Sequence, residues 1–301
     1  MAFRARVEAQ MFGQMLLGQV TSQTQRFERP RRKIIADGLD CYLVQVFLKG
    51  TCEVQDGRLT RLVRPGDIYI IDASAPLDAV DYDFTHITAM IPRDLMSQNL
   101  TRPDEHHRRI ILGETPLAKL LYQYIRIVHA NRSGMSINDG FASASALLGL
   151  TQSLLNTCLL GTGGQLNDEA VDLSTRAVIS DFIDNNLSNP ELEPSLIMTA
   201  LGVSRTRLYQ FFQPYGGVTA EIRRRRLRRS LQDLLDPSHR SMRIGGIAFR
   251  WGFSSESHYI RAFKRRYEMT PGEAREARRL MPTFEGRRAN DYERWIAGFA
   301  R

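Results

Sequence analysis

The sequence predicts a two-domain α+β protein, with a small antiparallel β-barrel and a helical hairpin in its N-terminal half and an all-α C-terminal half. Short β-rich segments with turn dipeptides occupy residues from about 34 to 91, and helical apolar stripes follow from about 115 to 160. Helix caps recur after residue 174. The expected domains are residues 1–165 and 166–280, followed by a helical C-terminal tail over 281–301.

The strand prediction rests on turn chemistry between short apolar runs. Leu39–Leu48 is rich in β-formers, and Asp56-Gly57 favours a tight hairpin before the next strand. Arg64–Asp67 forms a second turn ahead of Ile68–Ile71, and Asp83–Met90 alternates weakly. Several short strands at this spacing predict an antiparallel barrel or sandwich.

Two helices are predicted after the strands. Pro116 can begin a helix with a stripe that includes Leu121, and a second helix is expected from about Asp139 to Leu160, with Leu154 in its stripe. Two roles remain open, because these helices could cover the barrel or could pair two chains as a homodimer. Gly161–Gly164 and the polar residues after it form the expected linker.

The C-terminal half repeats one pattern twice: a short helix, a glycine turn and a capped helix. Ser174 is the expected cap of a leading helix, and Thr219–Leu235 is expected to form one long helix between the repeats. The first repeat is Pro194–Leu201, Gly202 and a helix capped by Ser204; the second is a helix from Ser241, Gly252 and a helix capped by Ser255.

All of the excess positive charge lies in the C-terminal part. Residues 1–171 hold 18 basic and 18 acidic residues, whereas residues 172–301 hold 23 basic and 15 acidic residues, which gives the net charge of +8. A neutral half joined to a basic half indicates that one half binds a neutral or small partner and the other binds a polyanion.

The repeated pattern has the features of a helix-turn-helix, in which a braced second helix enters the major groove of DNA. The two caps are 51 residues apart, and the long helix between them spans roughly 25 Å. That length suits two recognition helices on double-stranded DNA with half-sites about one helical turn apart. The outward residues are Arg205, Thr206, Tyr209, Gln210 and Gln213 in the first helix, and Glu256, Ser257, Ile260, Arg261 and Lys264 in the second.

The remaining candidate contacts are to phosphate. Backbone amides at the capped starts, at Ser204 and Ser255, can face phosphate groups. The arginine run that contains Arg224 is interpreted as a solvated helix face with phosphate contacts.

The segment from Ile247 to Tyr267, with Gly252-Phe253, Ser255 and Arg261, followed by Thr270-Pro271, resembles the signature of the AraC/XylS family of transcription regulators. The resemblance covers residues 174–280. It implies that Thr206, Tyr209, Gln210, Glu256, Ser257, Ile260 and Arg261 read bases and that Ser255 and Arg265 contact phosphate. Three residues depart from the family pattern: Met198 and Glu268 replace small residues, and Ala274 replaces an aromatic one.

The N-terminal half resembles the cupin-like effector domain of the same family, through Gly50, Asp56-Gly57, Arg64–Asp67 and Ala75-Pro76. The resemblance implies an activator controlled by a small-molecule effector, with a homodimer and RNA polymerase as partners. Sequence alone assigns no effector-lining residue, because the strand register is unknown.

A metal-dependent cupin enzyme fused to a DNA-binding domain is the alternative. Such a site needs converging histidines, yet only His86 lies in the strand region, and His106-His107 follow in a charged loop. The three cysteines lack metal-ligand spacing. We therefore expect no enzyme activity, cofactor or metal. The absence of a long apolar run argues against a membrane span, so we expect no membrane partner and a cytoplasmic location.

Overall fold

The computed structural model describes residues 4–279, apart from 57–58, 98, 101–102, 159–165 and 214–215. Within the described residues the chain forms two compact units, one from residues 4–30 and 39–158 and the other from residues 31–38 and 166–279. The linker predicted at Gly161–Gly164 and the helical tail predicted from the spacing of Tyr292, Trp295, Ile296 and Phe299 lie outside the described residues.

The first unit contains one antiparallel sheet, which confirms the predicted fold class. Its strand order is β1-β2-β7-β4-β6-β8, while β3 pairs with β7 and β5 pairs with β4. The strands are β1 (Ala5–Phe12), β2 (Met15–Ser22), β3 (Gln25–Arg29), β4 (Cys41–Asp56), β5 (Leu59–Val63), β6 (Ile68–Asp72), β7 (Leu77–Pro92) and β8 (Arg109–Ile111).

The predicted start of the strands near residue 34 is wrong. Three strands precede that residue, and residues 31–37 form helix α1 (Arg31–Asp37). The apolar and polar residues of β1 do alternate, but two of its apolar residues are alanines, which are weak strand formers, and most of its side chains are exposed or half-buried, so the alternation was missed. Pairing with β2 over all eight residues determines its conformation. The Asp56-Gly57 hairpin prediction agrees with the pairing of Asp56 with Leu59.

The two faces of the sheet pack against different neighbours. One face forms a core with α3 (Pro116–Asn131) and α4 (Ile137–Thr157), where Leu121 and Leu154 are buried. Residues on the other face pack against one another and form the barrel interior, which includes Phe27, Phe47 and Phe84. The two predicted helices therefore cover the sheet through the leucines of their stripes. The short helix α2 (Arg93–Ser97) follows β7.

The second unit is all helical in the described residues. Its helices are α1, α5 (Leu166–Asn185), α6 (Pro194–Leu201), α7 (Arg205–Phe212), α8 (Val218–Leu235), α9 (Ile244–Arg250), α10 (Glu256–Tyr267) and α11 (Pro271–Arg279). Two predicted starts are wrong, since α5 begins eight residues before Ser174 and α9 begins three residues after Ser241.

Helix α8 belongs to both cores of this unit. Its first turns place Val218 and Ile222 in a core with α5, α6 and α7. Its later turns place Leu227 and Leu234 in a second core with α9, α10 and α11. Ile35 of α1 is fully buried in the second core, so a helix from the N-terminal part of the sequence completes it.

Candidate DNA-binding surface and barrel interior

Helices α6 and α7 form the first helix-turn-helix. Gly202 between them has a φ of 62°, a left-handed conformation that glycine adopts without steric cost. The Ser204 hydroxyl accepts a hydrogen bond from the backbone amide of Arg207 at 3.3 Å and caps α7. Leu208, Phe211 and Phe212 are buried, as predicted. The exposed residues are those predicted to face DNA: Arg205, Thr206, Tyr209, Gln210 and Gln213.

Helices α9 and α10 form the second unit of the same kind. Gly252 in the turn has a φ of 69°, and the Ser255 hydroxyl accepts a hydrogen bond from the His258 amide at 3.2 Å. Tyr259 and Phe263 are fully buried, as predicted. Ile260 is half-buried against the core, which leaves only part of its side chain available to a base. The exposed predicted residues are Glu256, Ser257, Arg261, Lys264 and Arg265.

The arginine run on α8 is more internal than the predicted solvated face. Arg225 is buried, and its guanidinium donates to Glu221 at 2.6 Å and to Asp184 at 2.9 Å. Arg224, a predicted phosphate contact, forms an ion pair with Glu221, and only 17% of its side chain is exposed. Its contact with DNA remains a prediction. Among residues 223–226, only Arg223 is exposed.

The end of α10 explains one departure from the family pattern. Glu268 occupies the left-handed region, with a φ of 62°, where a glycine is usual. Its backbone amide donates to the Lys264 carbonyl at 2.8 Å and closes the helix. Its carboxylate lies 3.1 Å from the Arg31 guanidinium, which partly offsets the cost of this backbone conformation. Ala274, which replaces an aromatic residue, is fully buried in the second core.

The barrel interior contains polar side chains among its apolar ones. Because side chains alternate along a strand, Gln25 shares the inward face of β3 with Phe27, and Ser22 shares that of β2 with Val20. Both polar side chains are buried, and neither the Ser22 hydroxyl nor the Gln25 carbonyl oxygen has a hydrogen-bond partner among the described residues. Sequence reasoning missed these two groups because they precede the region predicted to form strands.

Asp81 and His86 of β7 also lie on this inward face. The His86 ring stacks on Phe84 with ring centroids 5.1 Å apart, and its Nδ1 lies 3.1 Å from the Thr88 hydroxyl. Its Nε2 lies 3.9 Å from an Asp81 carboxyl oxygen. Burial raises the pKa of Asp81 to about 7 and lowers the pKa of His86 to about 3. Between these values both groups are neutral, so the interior is polar without a fixed charge on this pair.

A separate buried cluster stabilises the sheet through Arg93. The guanidinium contacts Asp40 at 2.5 Å, Asp104 at 3.2 Å and, closest of all, Asp72. It also donates to the Ser74 hydroxyl at 2.9 Å. Burial alone would lower the pKa of Arg93, but the surrounding carboxylates hold it well above its ordinary value. The buried positive charge of Arg93 is therefore balanced by three acidic side chains, and the cluster has a structural role.

Metal-ligand groups and membrane-spanning helices are both absent from the described residues. In this part of the chain, histidine, cysteine, aspartate and glutamate side chains form no group of three or more that could hold a metal ion. No described helix is both long enough and apolar enough to span a membrane.

The two capped helix-turn-helix units, within the more basic part of the chain, define a DNA-binding transcription regulator. Residues 1–160 match the AraC-binding-like domain, and residues 197–277 match a helix-turn-helix domain. The first match covers more than half of the chain, so the chain belongs to the AraC-type family of transcription regulators.

Relatives agree with this assignment. The transcriptional activator NphR of Rhodococcus sp is 25% identical over 266 residues, which cover 87% of this chain and 77% of that protein. An uncharacterized protein in nit 5'region of Bacillus sp. (strain OxB-1) is 26% identical over 204 residues, covering 66% and 78%. The crystal structure of the AraC-like transcriptional activator CuxR has a similar fold, with a TM-score of 0.51 and 23% identity over 76% of this chain and 81% of that one.

Proposed function

We propose that the chain is an effector-controlled, sequence-specific transcription activator that binds two DNA half-sites with α7 and α10. The observation that carries the proposal is that one helix, α8, belongs to the cores of both helix-turn-helix units. Its 18 residues span about 27 Å, which suits two recognition helices in successive major grooves, about 34 Å apart. Activation is proposed from the names of two relatives, NphR and CuxR.

A half-site spacing experiment tests the proposal. Duplexes selected from a random library by the full chain should contain two half-sites roughly 10 base pairs apart. Inserting about half a turn of DNA between them should abolish tight binding, because the two recognition helices would then face opposite sides of the duplex. Retention of full affinity after this insertion would contradict the proposal that α7 and α10 bind two half-sites on the same face of the duplex.

Base reading and phosphate binding can be separated on α10. Arg261→Ala should relax base preference in one half-site and cost about 1–3 kcal/mol of binding free energy. Arg265→Ala should instead weaken binding to all duplexes alike and reduce the slope of log affinity against log salt by about 0.9. If the two variants exchanged these phenotypes, the assigned groove-facing side of α10 would be wrong.

The barrel interior is the proposed effector site. The Ser22 hydroxyl and the Gln25 carbonyl oxygen, which have no hydrogen-bond partner among the described residues, support this, because a ligand could offset the free-energy cost of burying them unpaired. A metabolite that binds there should raise the melting temperature of the full chain, and Gln25→Leu should weaken that effect. A panel in which every melting shift is unchanged by Gln25→Leu would exclude this location.

A homodimer, if formed through α3 and α4, must use their outer faces. Leu121 and Leu154 are buried inside the unit, whereas Leu120 and Ile127 of α3 and Phe141 of α4 are each more than half exposed. We propose these three residues as the dimer contact, on the strength of that exposure. Replacing Leu120 and Ile127 together by glutamate should give a monomer by sedimentation, while an unchanged mass would exclude this surface.

The remaining parts of the proposal follow from DNA binding. An activator acts on RNA polymerase, so RNA polymerase is a proposed partner. In bacteria the DNA target lies in the cytoplasm, so the cytoplasm is the proposed location. The protein is proposed to have no enzyme activity, on the basis of its membership of a family of DNA-binding regulators.

A further inference from the structure

The relative position of the two recognition helices depends on how the two cores of the second unit are joined. Helix α8 contributes Val218 and Ile222 to the first core and Leu227, Leu231 and Leu234 to the second. The transition between the two sets falls between residues 222 and 227 of α8. The shared helix places both cores on one axis, and side chains that contact both cores at this transition oppose twisting or bending of one core relative to the other.

Arg226 occupies this transition and reaches both helix-turn-helix units. Its Nε donates to the Leu187 carbonyl at 3.0 Å, and one terminal nitrogen donates to the Asn189 carbonyl at 2.6 Å; both carbonyls lie just beyond α5. The other terminal nitrogen donates to the Gly252 carbonyl, in the turn of the second unit, at 2.9 Å. One guanidinium thus connects the end of α5 with the turn before α10.

The chemistry of this contact requires arginine. Three carbonyls in different directions match the planar fork of the guanidinium, whereas an ammonium group has a single nitrogen. Partial burial lowers the pKa of Arg226, so its position carries a desolvation cost that the three carbonyls offset. The side chain is therefore engaged within the protein and is not a free phosphate ligand.

The Arg226 contact requires glycine at position 252, and so does the conformation of the turn. A β-carbon at this position would lie 2.7 Å from a terminal nitrogen of Arg226 and 3.0 Å from the Leu187 carbonyl oxygen. Its φ of 69° already favours glycine, but the close approach of Arg226 is a second and separate requirement. The preceding residue, Trp251, packs against both cores, and its indole nitrogen donates to Asp233 of α8 at 2.8 Å.

We propose that Arg226 is a positioning residue that fixes α10 relative to α7 and thereby sets the half-site spacing that the protein accepts. The proposal rests on the proposed two-site DNA binding. Arg226 itself reads no base: it acts through the carbonyls of Leu187, Asn189 and Gly252.

The test uses the full chain and duplexes selected by the wild-type protein from a random library. These duplexes are rebuilt with roughly 1, 2 and 5 additional base pairs between the half-sites, and each half-site is also prepared alone. For the wild type, an insertion of about 2 base pairs should lower affinity at least about 30-fold, which corresponds to about 2 kcal/mol. For Arg226→Gln the same insertion should lower affinity only about 3-fold, while binding to a single half-site changes less than about 2-fold.

Two further variants separate geometry from charge. Arg226→Lys keeps the positive charge but not the planar fork, so it should lose spacing discrimination as Arg226→Gln does. Arg223→Gln removes an exposed arginine of the same helix and should keep the wild-type discrimination, whatever its effect on overall affinity. Full discrimination in Arg226→Lys, or its loss in Arg223→Gln, would overturn the proposal.

A DNA-free measurement distinguishes failure of this inference from failure of the proposed function. Spin labels on cysteines introduced at the exposed positions Thr206 and Ser257, with the exposed Cys158 replaced by serine, report the distance between α7 and α10. This distance distribution should broaden in Arg226→Gln and in the milder Arg226→Lys. If the wild type binds duplexes of every half-site spacing equally well, the proposed two-site function is wrong. If the α7–α10 distance distribution broadens in neither Arg226 variant, only the proposed role of Arg226 is wrong.

Discussion

Helix α1 provides the sharpest test of how the second unit is stabilised. Ile35 is fully buried in the core formed with α8, α9, α10 and α11. Gly38, at the end of α1, lies so close to Leu235 of α8 that a β-carbon there would be 2.7 Å from its Cδ1. At the other end of α1, Arg31 donates to the Arg266 carbonyl of α10 at 3.1 Å. The second unit therefore depends on eight residues that precede most of the sheet in the sequence.

The perturbation is Ile35→Ala in the full chain. Truncating a fully buried isoleucine removes its transfer free energy and leaves a cavity, which together cost about 2–5 kcal/mol. Hydrogen exchange measured by mass spectrometry should show this loss as faster exchange in peptides from α8 and α10. Peptides from β4 and β7, whose core lies in the first unit, should keep their protection.

The matched control is Arg32→Ala, on the exposed side of the same helix, which should change protection by less than about 0.5 kcal/mol. A fragment of residues 164–283 lacks α1 altogether and should be less protected in α8 than the full chain. The reasoning is refuted if Ile35→Ala leaves the exchange of α8 and α10 unchanged.

Three further predictions concern stability. Glu268→Gly should raise the free energy of unfolding by about 0.5–1 kcal/mol, despite losing an exposed ion pair, because glycine relieves the left-handed conformation; a lower melting temperature would contradict this. Arg93→Met should cost about 3–5 kcal/mol in urea unfolding by leaving buried Asp72 unpaired. Arg26→Met, at an exposed pair with Asp78, should cost far less, and equal costs would refute the distinction. In the wild type, the pKa of Asp81 is raised to about 7, so protonation of this carboxyl stabilises the folded protein as pH falls below that value. The pKa of His86 is lowered from 6.5 to about 3, so the folded protein loses stability as pH falls below 6.5. The two contributions offset each other. Asp81→Asn should remove the first contribution and make stability fall on acidification by up to about 1.4 kcal/mol per pH unit between about 6.5 and 3; a wild-type pH profile in this variant would contradict the assignment.

Local signals predicted the second unit better than the first. The turns at Gly202 and Gly252 and the caps at Ser204 and Ser255 are set by neighbouring residues, and the structure places all four as expected. By contrast, the local signal in β1 is a weak alternation that includes two alanines, and this edge strand depends on its pairing with β2. Likewise α1 has no acidic residue in its first turn and no basic residue in its last turn.

The arginine run on α8 shows why side-chain partners are harder to predict than faces. Helical spacing from Glu221 could have indicated the ion pairs of Arg224 and Arg225, since these are three and four residues away. No comparable spacing indicates Arg226, whose three acceptors are 26 to 39 residues distant in the sequence. Its role follows only from the way one helix is shared by two cores. Consecutive arginines that look equivalent in the sequence therefore divide into an exposed cation at Arg223, paired charges at Arg224 and Arg225, and a connection between the two DNA-reading units at Arg226. A substitution at any one of them should be interpreted from its own contacts, and the net charge of the run predicts none of these differences.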